Sequence, residues 1–302
     1  MLNVLSLFDG LSGARVALHN LGIKCRYFAS EIDEPAIMVS KKNWPDAIRL
    51  GDVKYIDINK LPVIDLLIAG FPCQDMSQAN ASGTGAKIEY KPGLKGAKSS
   101  LFFSALDILH KLKPKHFIFE NVSSHLSVEV TKHIGREPVK LNSAHFSAQR
   151  RSRLFWTNFN VSQPANKSTL CINDILDKGK PAEGTYRPRV TQQIKDTKWI
   201  GVSDIKSYQE SKVYCTNYKS PCINTRFFPR VAVAPGYYRK LTIQELERLQ
   251  GLPAGYTAGQ YKYHRLKMLG NAFTVPVIEH LIKCMQKKKS PVYLQHSFNF
   301  SI

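Results

Sequence analysis

Short apolar runs alternate with helical patterns from Asn3 to Phe119, and this rhythm constrains the fold more than any other feature of the chain. Asn3 to Phe8 reads as a strand, Asp9-Gly10-Leu11-Ser12-Gly13 as a turn, and Ser12 to Leu21 as an amphipathic helix stopped at Gly22. Arg26 to Ser30 is a second strand that closes at Glu31-Ile32-Asp33, and a helix runs on to about Asn43. Ile48 to Val53 and Ile64 to Ala69 are two further strands. Leu101 to Lys113 is a helix closed by Pro114, and His116 to Phe119 is another strand. Strands that alternate with helices form parallel sheets covered on both faces, so the reading is α/β with a mostly parallel sheet. Its ligand belongs at the carboxyl ends of the strands.

From Val161 to about Arg239 the character changes to Lys, Arg, Pro, Ser, Thr and Tyr with no clear period. This stretch reads as a small, loop-rich region packed separately. Leu241 to Leu249 is again a good helix, stopped by Gly251 and Pro253, and Pro276 to Lys288 is a last helix with proline in its first turn. The tail from Ser290 reads as a peripheral extension. The division expected is therefore 1–160, 161–255 and a returning segment 256–302. The net charge of +20 points to a polyanion, most often nucleic acid, although a basic surface without such a partner has the same composition. No apolar run approaches the roughly 20 residues that span a bilayer. The start, Met1-Leu2-Asn3-Val4, has no charged region of a secretory signal. The cysteines at 25, 73, 171, 215, 222 and 284 form no Cys-x-x-Cys pair, so neither zinc nor disulfides are expected and a reducing cytosol fits.

Candidate chemistry collects at the strand ends. Gly70-Phe71-Pro72-Cys73-Gln74 places a thiol at the mouth of an apolar strand, with a rigid proline behind it. That position suits a nucleophile, whereas an arbitrary cysteine is more often inert core. Gly10 and Gly13 lie between a strand and a helix N-terminus, where a ligand can approach backbone N–H groups; the spacing is not the Gly-x-Gly-x-x-Gly fingerprint. Glu31 can hold ribose hydroxyls and Asp52 an exocyclic amine; together, at successive strand ends, they describe an adenosine site. Glu120-Asn121-Val122 ends the strand from His116 and faces the rim of Cys73, where burial would raise the carboxyl's pKa enough for it to serve as a general acid. Arg151 and Arg153 lie two apart in an extended segment and point to one face, able to hold a carboxylate, a base carbonyl or a phosphate. Read singly, the acids are also ordinary strand-end residues and the arginines an ordinary solvated run.

In this order the residues resemble the DNA (cytosine-5)-methyltransferases from about residue 3 to 285. Phe8-Asp9-Gly10 matches motif I, Pro72-Cys73-Gln74 motif IV and Glu120-Asn121-Val122 motif VI. Gln149-x-Arg151-x-Arg153 matches motif VIII. Arg239-x-Leu241-Thr242-x-x-Glu245-x-x-Arg248-Leu249-Gln250-Gly251-x-Pro253 matches motif IX, and Gly270-Asn271-Ala272-Phe273-Thr274-Val275-Pro276-Val277 motif X. One departure is Ser6, where the family often carries an acid. The region from Val161 to Arg239 falls where the family keeps its target-recognition domain.

The resemblance implies a Rossmann-like sheet and methyl transfer from S-adenosylmethionine to C5 of a cytosine flipped from duplex DNA, leaving S-adenosylhomocysteine. Cys73 would attack C6, Glu120 would bond N3 and the N4 amine, Arg153 would hold O2, and Arg151 would help hold Glu120 or a phosphate. Phe8, Gly10, Ser12, Gly13, Glu31, Ile32, Asp52, Val53, Pro72, Leu101, Asn271 and Ala272 would form the cofactor pocket. Phe8 and Leu101 also suit the core, and Asn271 a cap. Gln149, Thr225 and Arg226 would meet DNA, with Arg187, Arg189, Lys195, Lys198 and Arg230 as further cations. The glycine-studded segment after Cys73 corresponds to the loop that closes over DNA. A cytoplasmic monomer of a bacterial or phage-infected cell, serving restriction-modification or self-protection with a cognate endonuclease as partner, is the setting implied. A tRNA methyltransferase and a catalytically silent DNA-binding regulator share the fold; the presence of Cys73, Glu120 and Arg153 argues against the silent form.

Overall fold

The computed structural model describes residues 1–72, 100–124, 127–189, 196–204 and 210–287. Cys73, the glycine-studded segment after it, Lys195 and the tail lie outside the described residues. Five strands run parallel: β1 (Leu2–Leu7), β2 (Cys25–Ser30), β3 (Ile48–Gly51), β4 (Leu66–Gly70) and β5 (His116–Asn121), in the order β3-β2-β1-β4-β5. β6 (Val139–Asn142) and β7 (Ser152–Thr157) extend the sheet, with β7 antiparallel to both β5 and β6. The helices are α1 (Gly13–Asn20), α2 (Glu34–Asn43), α3 (Leu101–Leu112), α4 (Ser127–Ile134), α5 (Ile243–Gln250), α6 (Lys262–Asn271) and α7 (Val275–Gln286).

The apolar strand residues alternate between two cores, as a period of two requires. Val4, Leu66, Ile68 and Ile118 join Val16 and Ala17 of α1, Val39 of α2 and Ile278 and Leu281 of α7. Leu5, Leu7, Leu67 and Ala69 face the other way and join Phe102, Ala105 and Leu109 of α3. Burial on both faces is the condition under which a parallel sheet is stable, so the expected α/β architecture is the one observed.

The stretch without a sequence period holds a second sheet. Its strands are β8 (Gly184–Thr185), β9 (Arg187–Pro188), β10 (Trp199–Val202), β11 (Lys212–Tyr214), β12 (Arg230–Ala234) and β13 (Tyr237–Lys240), ordered β8-β13-β12-β11-β10-β9. None exceeds five residues, too few for a readable alternation.

One buried carboxylate ties this sheet to the first core. Thr242 caps α5 and accepts from Glu245 N at 3.2 Å, while Glu245 returns a bond to Thr242 N at 2.7 Å, a reciprocal capping box. Both Glu245 oxygens also take the Arg239 guanidinium of β13, at 2.6 and 2.8 Å, and one accepts from Asp177 N at 2.7 Å. Glu245 is fully buried and Arg239 nearly so. Removing one partner of such a pair strands the other's charge. Glu245→Ala should therefore lower the unfolding free energy by about 3–5 kcal/mol in urea titrations, and Glu245→Leu with Arg239→Met should lose less than Glu245→Ala alone.

Candidate active site

The turn after β1 is backbone under strain. Phe8, Gly10 and Ser12 all have left-handed φ, at 57°, 55° and 54°. Glycine adopts this freely, but a phenylalanine does not. Side chains hold the turn in place. Asp9 accepts from the Tyr27 hydroxyl at 2.6 Å on one oxygen and from the Ser12 hydroxyl on the other. Tyr256 donates to Leu11 O at 2.8 Å and is itself bonded by Trp44 Nε1 at 2.8 Å. Burial raises the Asp9 carboxyl above its ordinary pKa, opposed by the bonds from Ser12 and Tyr27. Beside this turn, Glu31 accepts from Gly10 N at 2.8 Å, Ile32 N at 2.7 Å and Asp33 N at 2.8 Å. Ile32 is 66% exposed, an apolar side chain held at the carboxyl edge of the sheet. β3 stops at Gly51, two residues short of the expected end, so Asp52 and Val53 sit on the 3-10 turn that follows, with Asp52 accepting from Lys54 N at 3.0 Å.

The second half of the site lies where β4, β5 and β7 end. Gly70 pairs in register with Glu120. Asn121 is buried and donates to Phe71 O at 3.0 Å, fixing the backbone that leads into Pro72 and Cys73. Glu120 accepts from Arg153 Nε at 3.0 Å, with side-chain exposures of 13% and 17%. Desolvation raises the Glu120 carboxyl above its ordinary value, and Arg153 and Arg151 only partly offset it.

Arg151 shares a cleft with Glu120 and Arg153, but its guanidinium is spent on backbone. It donates to Gly270 O and Ala272 O at 3.1 Å each, to Ile223 O at 3.4 Å and to Cys222 Sγ at 3.3 Å, and it is 5% exposed. Its hydrogen bonds do not go to Glu120, and its burial leaves it unavailable to a phosphate. Gln149, expected at the DNA, is fully buried. Its amide donates to Leu249 O and to the Gln250 side chain at 3.3 and 3.2 Å, and accepts from Ile223 N at 3.0 Å.

Residues 2–287 match the model of the C-5 cytosine-specific DNA methylases. The chain belongs to that family. It is 26% identical to the type II methyltransferase M1.ScrFI of Lactococcus lactis subsp. cremoris, covering 95% of this chain and 79% of that protein. It is 25% identical to the type II methyltransferase M.NlaX of Neisseria lactamica, covering 97% and 98%. With the orphan methyltransferase M.Rho11sI of Bacillus phage rho11s the identity is 32%, over 59% of this chain and 38% of that one. In fold it is similar to a putative DNA modification methyltransferase from an E. coli prophage, with a TM-score of 0.66, 18% identity and 95% and 100% coverage. Spodoptera frugiperda DNMT2 gives a TM-score of 0.67 at 14% identity, over 94% and 99%.

Membership of the DNA cytosine-5 methyltransferases implies, for the family generally, S-adenosylmethionine as methyl donor. The remaining expected residues gather around the same edge. Pro72 follows β4, half-buried Leu101 opens α3, and exposed Asn271 ends α6 beside buried Ala272. Thr225 packs against Gly270, where a Cβ would stand 2.9 Å from Thr225 Cγ2, and Arg226 is exposed. Arg230 is buried and paired with Glu210, so it is not available to a phosphate. The bracing residues Asp9, Tyr27 and Asn121 were not legible as such. Tyr27 is an unremarkable strand residue, and Asn121 stood inside a motif that drew attention to its neighbour.

The methyltransferase should tolerate little change at Arg151. Arg151→Lys cannot reach three carbonyls at once, and each buried group left unpaired costs about 1–3 kcal/mol. Its melting temperature and its methylation rate should both fall well below those of Arg226→Lys, assayed side by side.

Proposed function

We propose that this methyltransferase modifies C5 of a cytosine flipped from a specific duplex sequence, as the protective enzyme of a restriction-modification or phage system. The observation that carries the reading is the Glu120–Arg153 pair, with Glu120 beside Gly70 on the neighbouring strand and Gly70 three residues before Cys73 in the chain. The Cys73 thiolate adds to C6 and makes C5 nucleophilic. Glu120, whose burial favours the protonated form, donates to N3 and accepts from the N4 amine. Arg153 turns to O2 of the ring. Arg151 is reassigned as the brace of the strand that carries Arg153. After transfer, water takes the C5 proton and elimination releases Cys73.

The cofactor fits the first half of the site. S-adenosylmethionine supplies an electrophilic methyl group when bound. The left-handed turn offers the backbone of Gly10, Ser12 and Gly13 to its methionine end, with Phe8 facing the adenine ring. Glu31 keeps acceptor capacity for the ribose after its three backbone bonds. Ile32 and Val53 would flank the adenine and Asp52 its amine, with Pro72, Leu101, Asn271 and Ala272 closing the pocket. We assign duplex reading to 161–255, with Thr225 and Arg226 near the flipped base and exposed Arg187 and Arg189 on phosphates. The DNA methyltransferase family supports duplex DNA over tRNA, and bacterial and phage relatives support a cytoplasmic setting.

Incubation with labelled S-adenosylmethionine and either duplex DNA or tRNA, followed by bisulfite sequencing, tests this. Label should enter DNA at cytosines of one short sequence; its absence from every duplex would refute the proposal. Cys73→Ser should bind DNA without turnover. Glu120→Gln should lower kcat by about 10²- to 10⁴-fold. Because Glu120 acts protonated, kcat/KM should fall as pH rises through its raised pKa.

A further inference from the structure

Phe273 stands between the two halves of the site. Its side chain reaches α1 at the cofactor turn: a Cβ on Gly13 would lie 3.5 Å from Phe273 Cβ. The far end of the ring reaches β4, where a Cβ on Gly70 would lie 2.8 Å from both Cε1 and Cζ of Phe273 and 3.4 Å from Glu120 Oε2. Phe273 also lines the cleft shared by Glu120, Arg151 and Arg153. The ring thus occupies the space that a side chain at Gly70 would fill, a space bordered also by Oε2 of Glu120, while Arg153 holds the other oxygen. The backbone around it is tied down. Arg151 donates to Ala272 O, and Thr274 donates to Gln250 Oε1 at 2.9 Å and accepts from Ser143 at 2.8 Å.

We propose that Phe273 is a positioning residue that seats the Glu120 carboxylate at a fixed distance from the cofactor turn and keeps water from its free side. The proposal rests on the reading of Glu120 as the group that meets the cytosine. Three consequences follow from the geometry. The ring fills the cleft that Glu120 lines, so its removal opens that cleft to water, rehydrates the carboxylate and makes ionisation easier. It spans Gly13 and Gly70, so its removal lets the two halves of the site shift relative to each other. It forbids a Cβ at Gly70 only while it is present. Among the described residues the charged groups facing Glu120 are Arg153 and Arg151 of the β7 segment, with the Cys222 thiol beyond them on Arg151.

The test compares wild type, Phe273→Ala and Phe273→Leu in the full chain. Glu120 is titrated by carbon NMR of carboxyl-labelled glutamate, assigned with Glu120→Gln. Affinity for S-adenosylhomocysteine is measured by calorimetry, and turnover on methylatable DNA. In Phe273→Ala the Glu120 titration should move down toward the ordinary carboxylate value and kcat should fall about 10- to 100-fold, the scale of an ångström misplacement, with S-adenosylhomocysteine affinity within about threefold, under 1 kcal/mol. Phe273→Leu should recover part of both. If Phe273→Ala does not fold, the leucine variant carries the same reading against wild type. Gly70→Ala should cost much more stability in wild type than in the Phe273→Ala background. An unmoved Glu120 titration, an unmoved kcat, or an equal cost of Gly70→Ala in both backgrounds would overturn the proposal. If wild type methylates no DNA, the function reading fails instead, and the titration and the Gly70 comparison still decide whether Phe273 seats Glu120.

Discussion

A buried guanidinium must have its N–H groups paired, because an unpaired charge in a dry interior is too costly to keep. Arg151 meets this condition with carbonyls from three places: Gly270 at the end of α6, Ala272 after it, and Ile223 in the loop below the second sheet. Much else depends on that choice. With Arg151 anchored, β7 is fixed in orientation and Arg153, two residues on and on the same face, arrives at Glu120. The anchor also brings together segments more than a hundred residues apart in the chain. Gln149, Gln250, Thr274 and Ser143 continue the lattice with side-chain bonds between the same segments. Lys219 adds a tie from the second sheet's loop, donating to Ser147 O and Ser168 O.

The turn after β1 works on a different principle. Left-handed residues other than glycine cost about 1–3 kcal/mol each and persist only when neighbours hold them. Asp9 supplies the hold, with Tyr27 and Ser12 on its two oxygens, and Tyr256 fixes Leu11 from outside. The turn is shaped before any ligand arrives, with Gly10 N already bonded to Glu31 and Ser12 N to Asp9 O, so its shape and that of the neighbouring Glu31 need no further rearrangement. A stiff turn on one side and a braced acid on the other leave the space between them to Phe273.

Much of this was legible in the chain. Glu120 and Arg153 were named as candidates and the structure brings them to 3.0 Å. The parallel core was legible because its strands are apolar runs separated by helices. Gln149 and Arg151 misled for a physical reason. Polar residues in a basic stretch look solvent-facing, and only the carbonyl acceptors contributed by distant segments show that they are buried. The second sheet was hidden by strands of two to five residues.

Local pattern settled the strands and helices of the parallel core and α5, because periodicity and capping act over a few residues. The Thr242–Glu245 box and the left-handed Gly251 mark α5 in this way. The order and spacing of motifs settled the family for the same reason, since each motif is a short stretch with its own chemistry. What folding alone decided was the assignment of partners. Whether Arg151 or Arg153 reaches Glu120, whether Gln149 faces DNA or core, and which ring stands against Gly70 depend on groups hundreds of ångströms of extended chain away. No local signal encodes those distances.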